Sequence, residues 1–419
     1  MRDASFSICK AIAIILVVLS HAAAPGWMAA FVYQFHVPVF FICAGYFFKT
    51  EYLDNEKPYI AHRFRGLYVP FVKWSLLFLC LHNVFFWTGI LNERYGNAAG
   101  GVLHPYGWHD FSQRVWSCVT NMSGYDEFLC GAFWFFRAFF IASIVFLLFM
   151  KLMRWTRGFR DERGLGWGVL TLSFVLTTWL VLEGMRATGV AQGGYRELTG
   201  VFFMAVGFLY RRYREHIPGG WWMALACFAY LAAASVWWPS AMSPRADFGG
   251  FVSLLAGGTA GFYLVYILSQ KLATAGGAVA RGLVYVGDRT LYIFAFHLLA
   301  FKAVSAVKVA CLGRPWEQVG WHPAIPAASS WDLFFLLYVL AGVGLPLAWL
   351  AGWRAWRRRH PAPAVTPAAG ARLVLAGMGR VLLLFVRLLR RLALAVARAA
   401  RSLWEGFKGI LEASNPRDE

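Results

Sequence analysis

Apolar runs of about 20 residues recur along almost the whole chain, and that is the length an α-helix needs to cross the hydrocarbon core of a bilayer. They fall near residues 7–24, 32–48, 67–90, 129–150, 165–183, 198–210, 220–237, 250–269, 283–304 and 332–353. The sixth is short. Lipid offers no partner to an open backbone N–H or C=O, so each run reads as a helix. The expected class is an all-α membrane protein of about ten transmembrane helices. Composition agrees: of 419 residues, 59% are apolar and 15% charged, where a soluble domain carries about a quarter charged.

The basic residues orient the spans. One set of loops holds Lys49, Lys57, Arg63 and Arg65, then Lys151, Arg154, Arg157, Arg160 and Arg163. On the same side follow Arg211, Arg212, Arg214, Lys271, Arg281, Arg354, Arg357, Arg358 and Arg359. The opposite loops hold only Arg94, Arg114, Arg186, Arg196, Arg245, Lys308 and Arg314. By the positive-inside rule both termini are expected in the cytoplasm. The net charge of +19 is spread between apolar runs rather than over a soluble fold, which argues against nucleic-acid binding. Arg2, Lys10, the core AIAIILVVL and the following SHAAAPG imitate a cleavable signal peptide. Removing that segment breaks the charge alternation, so it reads as the first span.

Three units follow. Residues 1–353 form the polytopic domain, and 354–371 a basic, then Pro/Ala-rich linker. Residues 372–419 form a tail in which Arg372, Arg380, Arg387, Arg390, Arg391, Arg398, Arg401 and Lys408 share an arc of about 100°. Such a stripe suits an amphipathic helix lying on anionic lipid headgroups, because spanning would bury it.

Several chemistries lack support. There is no P-loop and no GxGxxG. The seven cysteines show no metal-ligand spacing, so no metal is expected. Cys118 and Cys130 share an outer loop and form a candidate pair for an oxidising compartment. GGTAG at 257–261 reads as close helix packing.

Ionisable groups inside a bilayer are costly and serve as functional candidates. His21, His36, His82 and His297 lie on four spans at similar calculated depth. The plainer alternative is that such imidazoles bond neighbouring helices. Lys10 and His21 are eleven residues apart, so they point within about 20° of each other, roughly 16 Å apart along the helix. A cation near the cytoplasmic mouth and a deep imidazole thus share one wall, although Lys10 as a snorkelling flank gives the same spacing.

These residues resemble a known family. KAIAIILVVLSH, with Lys10 and His21, is similar to the Arg/Lys-x10-His signature of the membrane acyltransferase-3 family, which includes bacterial O-acetyltransferases of surface polysaccharides. FHVPVFFICAGYFF resembles its FHMPLFFFLSGYFF block, with Ala44 where the family has Ser. HRFRGLYVPF, FWFFRAFF around Trp134 and VGDRTLYIFAFHLLAF around His297 resemble later blocks in order. Many members carry Asp three residues before the basic position. Here that residue is Ser7, and Asp3, one turn further out, is the candidate substitute.

The resemblance implies a bacterial inner-membrane enzyme that moves an acetyl or other short acyl group from acyl-CoA to a sugar hydroxyl. The acceptor is a cell-surface glycan or its lipid-linked precursor. His21 is the candidate base or acyl carrier, since imidazole is suited to proton transfer near neutral pH. Lys10, Arg63 and Arg65 are candidates for the phosphates of acetyl-CoA. His36, Arg137 and His297 are candidates to orient the acceptor or stabilise the oxyanion. Trp134, Glu183 and Glu197 are candidates to bind the sugar. The expected partners are acyl-CoA, the carbohydrate acceptor and membrane lipids. The alternative is a secondary transporter or flippase, against which stands the lack of a repeat between the two halves.

Overall fold

The computed structural model describes residues 3–95, 104–156, 159, 161–187, 191–243, 245–329, 332–360, 398 and 405. Among these residues there is helix and loop but no strand. Eight helical stretches are long and apolar enough to cross a membrane, and the protein is a multi-pass helical membrane protein. The two remaining expected spans are helices as well. One, 195–213, carries Arg196, Glu197, Arg211 and Arg212, and the other, 221–237, has only 17 residues. Length and composition therefore do not establish the expected count of ten.

Helix α1 (Ala4–His21) starts where the Asp3 carboxylate accepts from the Ser5 N–H at 2.9 Å, an N-cap that leaves this carboxylate occupied. The second expected span is bent into α2 (Gly26–Tyr33) and α3 (Pro38–Tyr46). Pro38 has no N–H to give to the ladder, and separately the Gln34 side-chain amide donates to the Leu231 carbonyl at 3.0 Å. The third span starts earlier than expected, as α4 (Lys57–Arg63), and passes through a π-turn at Phe64–Tyr68 into α5 (Val69–Trp87). Next come α6 (Trp108–Asn121) and the single turn α7 (Glu127–Cys130). Then follow α8 (Trp134–Trp155), α9 (Glu162–Leu182), α10 (Tyr195–Tyr213), α11 (Trp221–Trp237) and α12 (Phe248–Ala275).

The ninth expected span, 283–304, is broken by the turn Gly287–Asp288–Arg289. Residues before it form α13 (Gly277–Gly287), and the long helix α14 (Thr290–Cys311) starts after it. The last helix, α15 (Phe334–Arg359), includes Arg354, Arg357, Arg358 and Arg359 in its final turns. The Pro/Ala segment and the amphipathic tail lie outside the described residues apart from Arg398 and Glu405.

Lipid does not drive apolar helices together, so close contacts come from small side chains and interhelical hydrogen bonds. Helices α3 and α10 touch backbone to backbone: a Cβ at Gly45 would fall into the Met204 carbonyl, and one at Gly207 into that of Ile42. The GGTAG stretch packs as its composition suggests, with Gly257 against Gln34, Gly258 against Phe203 and Gly261 against Phe35. One face of the bundle carries ion pairs at its helix ends, with Lys151–Glu56 at 2.8 Å, Arg154–Asp54 at 2.9 Å and Arg212–Glu162 at 2.8 Å. This basic face is where α1 begins. Exposed Trp87 and Trp237 at one level, and Trp155 and Trp222 at the other, suit the two interfaces of a bilayer.

Candidate active site

A cavity of about 500 Å³ lies inside the bundle. Towards the basic face its wall is Gly66 and Leu67 of the π-turn with Thr290 and Leu291 of α14. Its middle is aromatic, and at the far end stand His21, His36, Tyr33, Trp134 and the 241–243 segment. The helical period explains the α1 wall: Ile14, Val17 and His21 all line the cavity, and Lys10 continues the same stripe one turn towards the basic face. Gly66 lies where the π-turn widens the helix, and such turns recur at functional sites.

Three imidazoles are held in one way. The Nδ1–H of His21 donates to the Val17 carbonyl at 2.9 Å, and that of His36 to Val32 at 2.7 Å. His297 donates to Phe294 at 2.9 Å, with Ile293 at 3.2 Å. A carbonyl can only accept, so Nδ1 carries the hydrogen and Nε2 keeps its lone pair. His21 and His36 reach the cavity. His297 lies behind His21, fully buried, with ring centroids 5.3 Å apart and its Nε2 without a hydrogen-bond partner.

His82, expected at similar depth, belongs elsewhere. Its Nδ1 faces the Asp126 carboxylate, its Nε2 lies 2.9 Å from the His104 carbonyl, and its ring stacks on Tyr106 at 3.6 Å. Asp126 also caps α7 through the N–H groups of Phe128 and Leu129. This is a packing role. Cys118 and Cys130 are buried free thiols.

The other candidates divide. The Trp134 ring lies under the Arg196 guanidinium at 4.4 Å, and Arg196 holds the 241–243 segment through the Ser243 carbonyl and hydroxyl. Arg137 and Arg196 are electrostatic neighbours of Glu197, whose buried Oε2 has no partner. Glu183 is not brought there; it ends α9, exposed. On the basic side Arg63 lies against Tyr59 at 5.0 Å and against the cavity residue Phe139 at 5.3 Å, while Arg65 is exposed.

Residues that the sequence did not single out complete the picture. The Ser7 hydroxyl donates to the Asp288 carboxylate at 2.9 Å, so a carboxylate reaches this turn of α1 from 281 positions away, while Asp3 serves as the cap. Arg289 and Thr290 follow directly. His322 packs beside Gly131, next to the cavity residue Ala132. Only the GDRT segment before the His297 block offered a local signal for any of these. Among the described residues no His/Cys/Asp/Glu group is arranged to hold a metal.

A family model described as an acyltransferase domain matches residues 3–353. No curated protein and no solved structure matches the chain.

Proposed function

This chain belongs to the membrane acyltransferase-3 family, and from that membership we propose that it moves an acetyl or other short acyl group from acyl-CoA to a sugar hydroxyl. The acceptor in this reading is a cell-surface glycan or its lipid-linked precursor, and the enzyme sits in a bacterial inner membrane with both termini cytoplasmic. The observation that carries the reading is the cavity lined both by His21 and by Gly66 and Thr290, residues one turn or less from Arg63 and Arg289.

The geometry suits the chemistry in three respects. A thioester arm threaded from the basic face meets an apolar, aromatic wall and leaves the charged part of the donor among Lys10, Arg63 and Arg65. His21 presents Nε2 as an acceptor because Val17 holds the other nitrogen. That nitrogen takes the hydroxyl proton as the sugar oxygen bonds to the thioester carbon. The C–S bond then breaks, and the proton passes from His21 to the leaving thiolate. Trp134 supplies a flat face for a sugar ring, and Arg196 and Glu197 supply a donor and an acceptor for its hydroxyls. In the neutral form His36 and His297 offer no hydrogen at Nε2, so either acts on an oxyanion only after taking up a proton.

The test is incubation of the purified protein with radiolabelled acetyl-CoA and candidate glycans, beside the His21→Ala variant. Label on glycan, or thioester consumption, in the wild type alone supports the reading. Full activity of the variant sinks the assignment of His21. Binding without turnover across many acceptors favours a transporter.

A further inference from the structure

We propose that Arg289 forms, with Arg63, a two-armed clamp for the phosphates of the donor at the basic mouth of the cavity. The inference rests on the reading of the donor as acyl-CoA and adds to it a residue that lies 226 positions beyond Arg63.

Both arginines stand within one helical turn of residues that line the cavity. Arg63 precedes Gly66 and Leu67, and Arg289 precedes Thr290 and Leu291. Each is stacked on the tyrosine one turn earlier, Arg63 over Tyr59 at 5.0 Å and Arg289 over Tyr285 at 3.7 Å. Each has its Nε buried without a hydrogen-bond partner. Stacking orients a guanidinium, and in Arg289 the Nη1 also donates to the Tyr285 carbonyl at 3.0 Å, which leaves Nε and Nη2 as a fork for two oxygens of a phosphate. A buried donor without a partner is costly, so both sites gain from an acceptor.

The position of Arg289 is built into the fold. A Cβ at Gly287 would fall into the Ser7 carbonyl, so only glycine lets this turn lie directly on α1. The Ser7 hydroxyl then holds Asp288 at 2.9 Å. That docking holds the residue next to Arg289 against α1 at Ser7. The exposed Arg65 has no comparable support. The ligand class is a phosphorylated nucleotide carrier of a thioester, recognised by its phosphates and not by its acyl group.

The experiment measures binding of CoA, and of pantetheine, which lacks every phosphate, to the detergent-purified full chain by calorimetry. Wild type is expected to bind CoA at least about tenfold more tightly than pantetheine. Arg289→Gln and Arg63→Gln are each expected to weaken CoA about tenfold, in line with loss of a charge-assisted contact, and to leave pantetheine unchanged. Unchanged pantetheine binding shows that the variant is folded, and Arg289→Lys keeps the charge without the fork if Gln does not fold. CoA binding at the wild-type level in both Arg289 variants overturns the role of Arg289. Equal wild-type affinity for CoA and pantetheine overturns the clamp while leaving acyl transfer intact. Binding of neither by wild type overturns the clamp and the acyl-CoA reading together.

Discussion

The imidazoles of His21 and His297 lie 5.3 Å apart, centroid to centroid, although 276 residues separate them in the chain. Both turn Nδ1 back to a carbonyl of their own helix, so the nitrogens left over are two lone pairs. A proton taken by His21 therefore arises beside an acceptor with no partner of its own. His21→Ala is expected to lower acyl transfer by about 10²–10⁴-fold, the usual contribution of a general base. His297→Ala is expected to cost about tenfold, and the double variant no more than His21→Ala alone, because groups that act as a unit are not additive. Rates from the three variants check this, and multiplying losses would show that the two histidines act separately.

Gly66 offers a way to block the cavity without disturbing the bundle. It lines the cavity, and a Cβ there meets nothing within 4 Å. Gly66→Leu is expected to keep the fold, fill the passage between the basic mouth and His21, and lower turnover at least about tenfold, as displacement of a reacting group does. Turnover and the unfolding midpoint are measured together. Full turnover would mean that the thioester arm does not use this passage.

The contact of α3 with α10 gives a stability test. Gly45→Ala and Gly207→Ala each push a methyl into backbone of the other helix, which cannot move aside as a flexible side chain can. Each is expected to destabilise by about 3 kcal/mol or more, at the upper end of overpacking effects. Gly344→Ala, in open space on α15, is the control and is expected to be near neutral. Thermal unfolding in detergent ranks the three.

His322 gives the fold an acid-labile point outside the spans. It sits in the loop after α14, 5.8 Å from the Phe128 ring, with its Nδ1 buried and without a partner. Burial, and then the charges of Lys302 and His21, hold its pKa down to about 3, against the opposing bond to Phe128 backbone. The unfolded chain takes up this proton below about pH 6.5, where the folded chain still refuses it. The stabilisation is thus complete above about 6.5 and lost as the pH falls towards 3. Between pH 6.5 and 4 the loss is on the order of 3 kcal/mol. His322→Gln is expected to flatten that part of the curve, and parallel curves for the two proteins would rule out this origin.

Lys302, on α14, shows how far local pattern reaches. By the expected bounds the lysine falls inside the ninth span, 283–304, and no role is assigned to it. In the structure it is buried on α14, donating to the Trp321 carbonyl at 2.6 Å and so holding the peptide before His322. Nothing within a helical turn of Lys302 announces that partner.

Membrane class and the approximate places of eight spans were legible in the sequence, since bilayer thickness sets the length of a span. The family blocks added which histidines to watch. Tertiary structure alone decided that His297 backs His21, that Arg196 covers Trp134, that Asp288 serves Ser7, and that His82 packs with Asp126 instead of entering the cavity. It also cut the ninth span at Gly287, where a residue without a side chain lets the chain turn against α1. The physical reason is that spans are nearly uniform in apolarity, so no periodic signal says which faces meet. Contacts between bare glycines and single polar groups, often more than 100 residues apart, make that choice.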